Sequence, residues 1–294
     1  MLQRRTDLAM EAEALWRESA GSTTRLPGVR ARETNRKGYA LTQVDILDEE
    51  GAQALRKPVG TYRTMDVSPY FRSRSEEFST AAELLAEELT PLLPEEGGVF
   101  VAGLGNRAMT PDAIGPLTVE HLLITRHLRE ILPDFRPVSA AAAGVLGTTG
   151  LESAEWVRGL AERSEAAAVI VVDALASRSL DRLCTTVQFS DTGIIPGSGV
   201  GNARTALNRE SLGIPVISIG VPTVVDSLTL ALDLLPEVSQ EEIPAPLRSR
   251  GAALFVTPRD VDEQILQLSK LIGYGINMAL QPGLTVEDVA ALLG

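Results

Sequence analysis

The sequence predicts an α/β protein with a mostly parallel, twisted sheet and helices on both faces. Three observations carry that expectation. Short apolar runs of strand length alternate with amphipathic stretches of helical period from about Glu76 onward. Several of these runs, such as Val169-Ile-Val-Val172, recur between helical stretches, and alternation of this kind predicts a largely parallel sheet with helices on both faces. At 294 residues the chain is long enough for one such unit with a sizeable core.

Taken in order, residues up to about Arg74 are mixed and polar. Strand-like pieces such as Tyr39–Leu47 lie between turn signals at Pro27-Gly28 and Pro58-Val-Gly60. This stretch is expected to form irregular strands packed on the main sheet. The pattern then predicts a helix through Ala81–Leu89, a strand at Val99–Ala102 and a helix from Leu117 to Ile131. Strands are expected around Pro137–Ala142, Val169–Val172, Thr186–Phe189, Val216–Ile219 and Ala253–Val256. Val261, Ile265, Leu268, Leu271 and Ile272 fall at helical spacing within Asp260–Leu280, and a last short helix runs from Val286 to Leu293. Amphipathic stripes of this kind ordinarily face a core rather than a binding groove.

The formal charge of −12, from 27 Lys and Arg against 39 Asp and Glu, argues against direct binding of nucleic acid. The single cysteine, Cys184, has no internal partner and reads as a buried, inert thiol, which suits a reducing compartment. No apolar stretch approaches the roughly 20 residues needed to span a bilayer. Arg4-Arg5 is followed by Thr6, Asp7, Glu11 and Glu13 where an export signal would be apolar. A location inside the cell is therefore expected.

Several motifs fail on context. Gly103-Leu-Gly105-Asn-Arg-Ala108 matches a dinucleotide fingerprint, but Pro111, Gly115 and Pro116 interrupt the helix that should follow. Asp191-Thr-Gly193 is the tripeptide of pepsin-like proteases, which need two copies; here it reads as a tight turn in which Asp191 binds backbone N–H groups, near a substrate wall that includes Gly197 and Gly199. His121 and His127 fall six apart in one expected helix and face different ways, no nucleophile elbow is present, and no His/Cys cluster suggests zinc. Neither a metal nor another cofactor is expected.

The carboxylates remain. Asp112 and Asp173 each follow an apolar strand signal, so strands of one parallel sheet would bring them to a shared rim, where such sheets hold their sites. Two neighbouring carboxyl groups cannot both ionise easily, so one can donate a proton while the other takes one from water. A single aspartate at a strand end is as often a helix cap or turn former. A non-catalytic α/β protein that binds a small ligand at the same rim stays open as an alternative.

At this point the chain resembles a known family. Arg5-Thr-Asp-Leu-Ala9, Lys57-Pro-Val-Gly-Thr-Tyr62, Gly103-Leu-Gly-Asn106, Thr110-Pro-Asp-Ala-Ile-Gly-Pro116, Gly144–Gly150, Val172-Asp-Ala-Leu-Ala176, Asp191–Asn202 and Phe255-Val-Thr-Pro258 resemble the germination proteases of endospore-forming bacteria, over nearly the whole chain. The resemblance implies an atypical aspartic endopeptidase of the spore core that initiates degradation of small acid-soluble spore proteins during germination. It also implies a homotetramer made as a zymogen, with Asp112 and Asp173 as the essential pair. The family looks distantly related to hydrogenase maturation endopeptidases, and a metal-dependent enzyme of that kind is a second alternative. Those relatives also use a histidine, and none stands at an equivalent later strand end here.

The family cuts after an acidic residue in a Thr-Glu-(Phe/Ile)-Ala-like sequence, which Thr6-Asp7-Leu8-Ala9 imitates. Residues 1–7 are therefore expected to be a propeptide removed by self-cleavage between Asp7 and Leu8. Residues 8–294 would form one protease domain, with 8–74 as its irregular N-terminal region. Asn106 and Thr110 are candidate site-wall residues beside the catalytic pair. Arg178, with Arg107 and Arg204, is a candidate partner for the substrate's acidic side chain.

Overall fold

A computed structural model of the chain describes residues 6–20, 26–72, 74–201, 203–235 and 254–294. One mixed sheet runs through it in the order β1-β2-β3-β7-β8-β6-β4-β5, with β9 added antiparallel to β8. The strands are β1 Val29–Arg36, β2 Tyr39–Ile46, β3 Gly60–Asp66, β4 Val99–Leu104, β5 Val138–Gly144, β6 Ala168–Ala176, β7 Thr186–Ser190, β8 Val216–Asp226 and β9 Phe255–Val256. Helices α1 Ala9–Ala20, α2 Glu49–Leu55, α3 Ser68–Arg72, α4 Arg74–Leu89, α5 Ile114–Val119, α6 Leu146–Thr149, α7 Ser153–Arg163, α8 Arg209–Leu212, α9 Ser227–Leu234, α10 Val261–Leu280 and α11 Val286–Leu293 connect or flank them.

The α/β class with helices on both faces is observed. Parallel pairing joins β8, β6, β4 and β5, and the inner strands β6 and β4 are the ones whose apolar runs are continuous. β1, β2, β3 and β7 extend the same sheet in antiparallel fashion. The N-terminal region is thus a regular ribbon continuing the sheet edge rather than irregular strands lying on it. Its hairpin is set by Lys37-Gly38, both at positive φ between the paired residues Arg36 and Tyr39, a two-residue turn whose twist matches the strands.

Alternation along each strand divides the core. One face carries Ile170, Val172, Ile217, Ile219, Val187 and Phe189 under α4, α5 and α10. The opposite face carries Val169, Val171, Phe100 and Ala102 under α7, and farther along Val44, Ile46 and Tyr62 with Ala9 of α1 and Leu55 of α2. Between the α7 and α1 clusters this second face is polar or bare, and a cavity of about 790 Å³ opens there.

The helix expected from Leu117 to Ile131 ends at Val119. Asn277 of α10 is the reason: its amide takes the N–H of Leu123 and donates to the carbonyl of His121, at 2.9 and 2.8 Å. The N–H of Thr125 goes to the carbonyl of Val138 rather than to a helical carbonyl, and its hydroxyl accepts from Val138 and donates to Arg136. Partners distant in the chain thus occupy backbone groups that a continuing helix needs. His121 and His127 consequently lie in a turn and a short 3₁₀ segment rather than in one helix.

Candidate active site

Strand succession reverses between β4 and β6. β5 follows β4 on one side, whereas β6 returns to pair with β4 on the other. Crossovers that leave such adjacent strands to opposite sides open a crevice beyond their carboxyl ends. The first crossover begins with a loop after β4 that carries Asp112; the second ends in β6, which carries Asp173.

Asp173 is the first residue of β6 past its last pair with β4, Gly103 opposite Val172, while β6 continues along β8 to Ala176. It therefore projects from a strand fixed by one neighbour just where the other neighbour ends. Asp112 closes the one-turn 3₁₀ segment Thr110–Asp112, and its carboxylate accepts the backbone N–H of Asn106 at 2.8 Å. Gly105 makes this fold-back possible: it sits at φ +107°, and a β-carbon there would lie 2.0 Å from the carbonyl oxygen of Asp112.

Burial pushes the pKa of both carboxyl groups up. For Asp112 the shift is opposed by the Asn106 N–H. Asp173 is raised well above 3.8, first by burial and then by the neighbouring charge of Asp112, with a further contribution from Asp7 and opposition from the Ala174 N–H. The two aspartates sense one another across the β4–β6 crevice. Such a pair holds a proton that an isolated surface aspartate would have lost.

The chain's own N-terminal segment lies against the carboxyl end of β6, lining the cavity over β7 and β8. The N–H of Asp7 donates to the carbonyl of Ala176, extending β6 by one strand-like contact. Its carboxylate accepts the N–H of Ala176 at 2.9 Å and the hydroxyl of Ser198 at 3.0 Å. Its carbonyl oxygen accepts the ammonium of Lys57 at 2.8 Å and the side-chain amide of Gln188 at 3.2 Å. Beyond it, the Gln188 carbonyl oxygen accepts the N–H of Ala9, and Leu8 is wholly buried. The carboxylate of Glu11 then accepts the N–H groups of Arg178 and Ser179, fastening the first turn of α1 to the loop after β6.

The residues singled out from sequence fall unequally around this segment. Gly199 touches it, since a β-carbon there would stand 1.9 Å from a carboxylate oxygen of Asp7. Gly197 begins the same loop at φ +73°. Asn106 supports Asp112, and Thr110 opens the 3₁₀ segment that ends in it. Asp191 accepts the backbone N–H of Thr61, on the neighbouring strand β3, at 2.8 Å. Arg178 pairs with Glu18 and Asp233, Arg107 with Glu120 and Arg204 with Glu152, so all three guanidinium groups have other partners. Among the described residues the Asp7 carboxylate is seated by neutral donors. Of the expected propeptide, Thr6 and Asp7 are described, and residues 1–5 lie outside the described residues.

Lys57, Gln188 and Ser198 were not legible as site residues. Gln188 left the clearest signal, a long polar amide between Val187 and Phe189 in a strand buried along its whole length. Among the described residues no group of three His, Cys, Asp or Glu side chains is placed to hold a metal ion, and no helix is long and apolar enough to cross a membrane.

Comparison with known proteins places this geometry in context. Residues 6–240 match the model of the family described as germination protease. A germination protease of Caldanaerobacter subterraneus subsp. tengcongensis is 42% identical, with 98% of each chain covered. One from Clostridium perfringens is 41% identical over the same shares, and one from Bacillus cereus is 35% identical over 98% of this chain and 96% of its own. Among solved structures, a NiFe hydrogenase maturation protease from Thermococcus kodakarensis superposes with a TM-score of 0.35 at 17% identity, covering 64% of this chain and 98% of its own.

Proposed function

Because this chain belongs to the germination protease family and is a peptidase, we propose that Asp112 and Asp173 hydrolyse peptide bonds as an aspartic-type pair. Its first substrate is then the Asp7–Leu8 bond of the chain itself. The single observation that carries this reading is that the N–H, carbonyl and carboxylate of Asp7 are all hydrogen-bonded in place at the end of β6, close enough for its charge to be felt by Asp173. A carboxyl group kept protonated by burial and by its neighbour supplies the acid, and the partner carboxylate takes a proton from the attacking water. In this scheme the protonated member returns its proton to the departing Leu8 amine.

On the same reading the later substrates are small acid-soluble spore proteins cut after an acidic residue. The enzyme would work as a homotetramer in the spore cytoplasm, and residues 1–7 would form the propeptide. The Ala176 N–H and the Ser198 hydroxyl would seat the acidic side chain of each substrate, as they seat Asp7.

Incubating the purified full-length chain at mildly acidic pH and sequencing the new N-terminus tests the proposal. Leu8 is the expected first residue, and Asp112→Asn and Asp173→Asn are each expected to abolish the cut while circular dichroism stays unchanged. Cleavage by either variant at the wild-type rate would refute the carboxylate pair, and a different new N-terminus would refute the assignment of Asp7–Leu8.

A further inference from the structure

Two donors converge on one carbonyl in this site, and the two-carboxylate scheme does not use them. Lys57 Nζ and Gln188 Nε2 both point at the carbonyl oxygen of Asp7, at 2.8 and 3.2 Å. An ammonium placed only to neutralise an acidic side chain would turn to the carboxylate. Here the carboxylate goes to the Ala176 N–H and Ser198 Oγ, and the cation goes to the peptide oxygen. Gln188 is itself held in register, because its Oε1 accepts the Ala9 N–H at 2.8 Å; its amide thus straddles Leu8 and grips both sides of the peptide bond proposed to break.

Sheet register ties these donors to the aspartates. Gln188 on β7 and Asp173 on β6 both pair with Gly220 on β8. The three residues form one row, and side chains directly opposite one another share a sheet face. Gln188 and Asp173 therefore flank a position with no side chain, two strand spacings or roughly 10 Å apart. A carbonyl held by one lies over the same patch of sheet as the other.

We propose that Lys57 Nζ and Gln188 Nε2 form the oxyanion seat of this protease, taking up the negative charge that develops on the scissile carbonyl oxygen. The inference rests on the reading of Asp7–Leu8 as a scissile bond. In the step it describes, the water oxygen bonds to the Asp7 carbonyl carbon and one water proton passes to the ionised carboxylate. The carbonyl π pair moves onto the oxygen between Lys57 and Gln188. When that pair returns, the bond to the Leu8 nitrogen breaks and the nitrogen takes a proton from the protonated carboxyl group. The products are an α-carboxylic acid on Asp7, which then yields its remaining proton to solvent, and a Leu8 amine. Donors fixed in advance around a developing oxyanion typically account for a factor of about 10² to 10³ in rate each.

The test uses the full-length chain and the variants Lys57→Met, Lys57→Arg and Gln188→Met. Self-cleavage is followed as a first-order rate. A peptide with an acidic residue before the cut is then assayed with the processed proteins, conversion being completed where necessary with tagged wild-type enzyme that is afterwards removed. Lys57→Met is expected to slow both reactions about 10²- to 10³-fold, with kcat falling and KM staying within about threefold. Gln188→Met is expected to lose about tenfold, and Lys57→Arg, which keeps a cationic donor, to retain more activity than Lys57→Met. Lys57→Met turning over within threefold of wild type, or losing activity wholly through KM, would overturn the proposal, since a residue that only anchors the N-terminal segment behaves in that way. Failure of the wild-type chain to cut at Asp7–Leu8 would instead remove the self-cleavage reading, and the seat would then be decided by kcat on the added peptide. If circular dichroism shows Lys57→Met unfolded, Lys57→Arg and Gln188→Met decide: both at wild-type kcat would refute the seat.

Discussion

Replacing Gly199 by alanine tests how tightly the acidic side chain is held. A β-carbon at this position would stand 1.9 Å from an Asp7 carboxylate oxygen and 2.7 Å from the Ala176 β-carbon, whereas real β-carbon contacts essentially never fall below 3.0 Å. The carboxylate must then retreat by 3.0 − 1.9 = 1.1 Å. It cannot do so freely, because the Ala176 N–H at the end of β6 and the Ser198 hydroxyl beside Gly199 both hold it. Gly199 is not among the positive-φ glycines, so alanine should fold without backbone strain and the effect should report on the pocket. A displacement of about 1 Å at a reacting group can cost about 10²-fold in rate. Self-cleavage of Gly199→Ala, followed by the loss of the N-terminal segment on gels or by mass spectrometry, is therefore expected to slow about 100-fold. Read as thermal stability, combining it with Asp7→Ala removes the atoms that clash, so the alanine at 199 should cost much less in that background; the remaining loss measures the Ala176 contact. Equal rates for Gly199→Ala and wild type, or strict additivity in the double variant, would refute this account of the pocket.

Other outcomes follow from the same geometry. Ser198→Ala removes one hydrogen bond to a charged group in a partly exposed setting, so about 1 kcal/mol, or about fivefold in self-cleavage rate, is expected to be lost; an unchanged rate would show the hydroxyl to be dispensable. The folded-state pKa of Asp173 is raised, so its contribution to stability is full below the unfolded value near 3.8 and is lost as pH climbs through the folded pKa. Asp173→Asn should consequently exceed wild type in urea or thermal stability at neutral pH, with the gap closing on acidification; a gap that widened toward low pH would contradict the shift. The same sign applies to turnover, which should decline as pH rises through the folded pKa of Asp173, as a pH–rate profile would show. Burial pushes the Cys184 thiol up to about 12, so it should resist alkylation at pH 8 until denaturant is added.

The legible parts of this molecule were those where local pattern and tertiary demand agree. The last helix follows the expected Val286–Leu293 span because Thr285 caps it and its apolar stripe faces the core. The strands carrying Val99 and Val169 read correctly because continuous apolar runs match burial on both faces. The helix expected through His121 and His127 failed because Asn277, more than 150 residues away, intercepts its backbone, and no local window contains that information. The same limit applies at the crevice. Asp112 and Asp173 were visible as strand-end acids, yet Lys57 and Gln188 meet Asp7 only through the antiparallel half of the sheet, which the alternation of helix and strand did not foretell. The arginines proposed for the acidic side chain illustrate a second limit: charge sign alone favours them, but each is already paired, and the seat is built from a backbone N–H and a hydroxyl that leave no mark in composition.

The anchoring of α1 gives activation its direction. Glu11 ties the start of this helix to the backbone of Arg178 and Ser179, and Leu8 is enclosed. If the bond before Leu8 breaks, the newborn amine is a leaving group that stays, tethered beside the acyl carbon it has just left. Tethering of this kind keeps effective concentrations in the millimolar range or above, so resealing competes with separation. What makes the conversion one-way is then diffusion of the severed N-terminal segment into bulk solvent, and adding a peptide that ends at Asp7 should slow the cut enzyme as a product that fits its own mould.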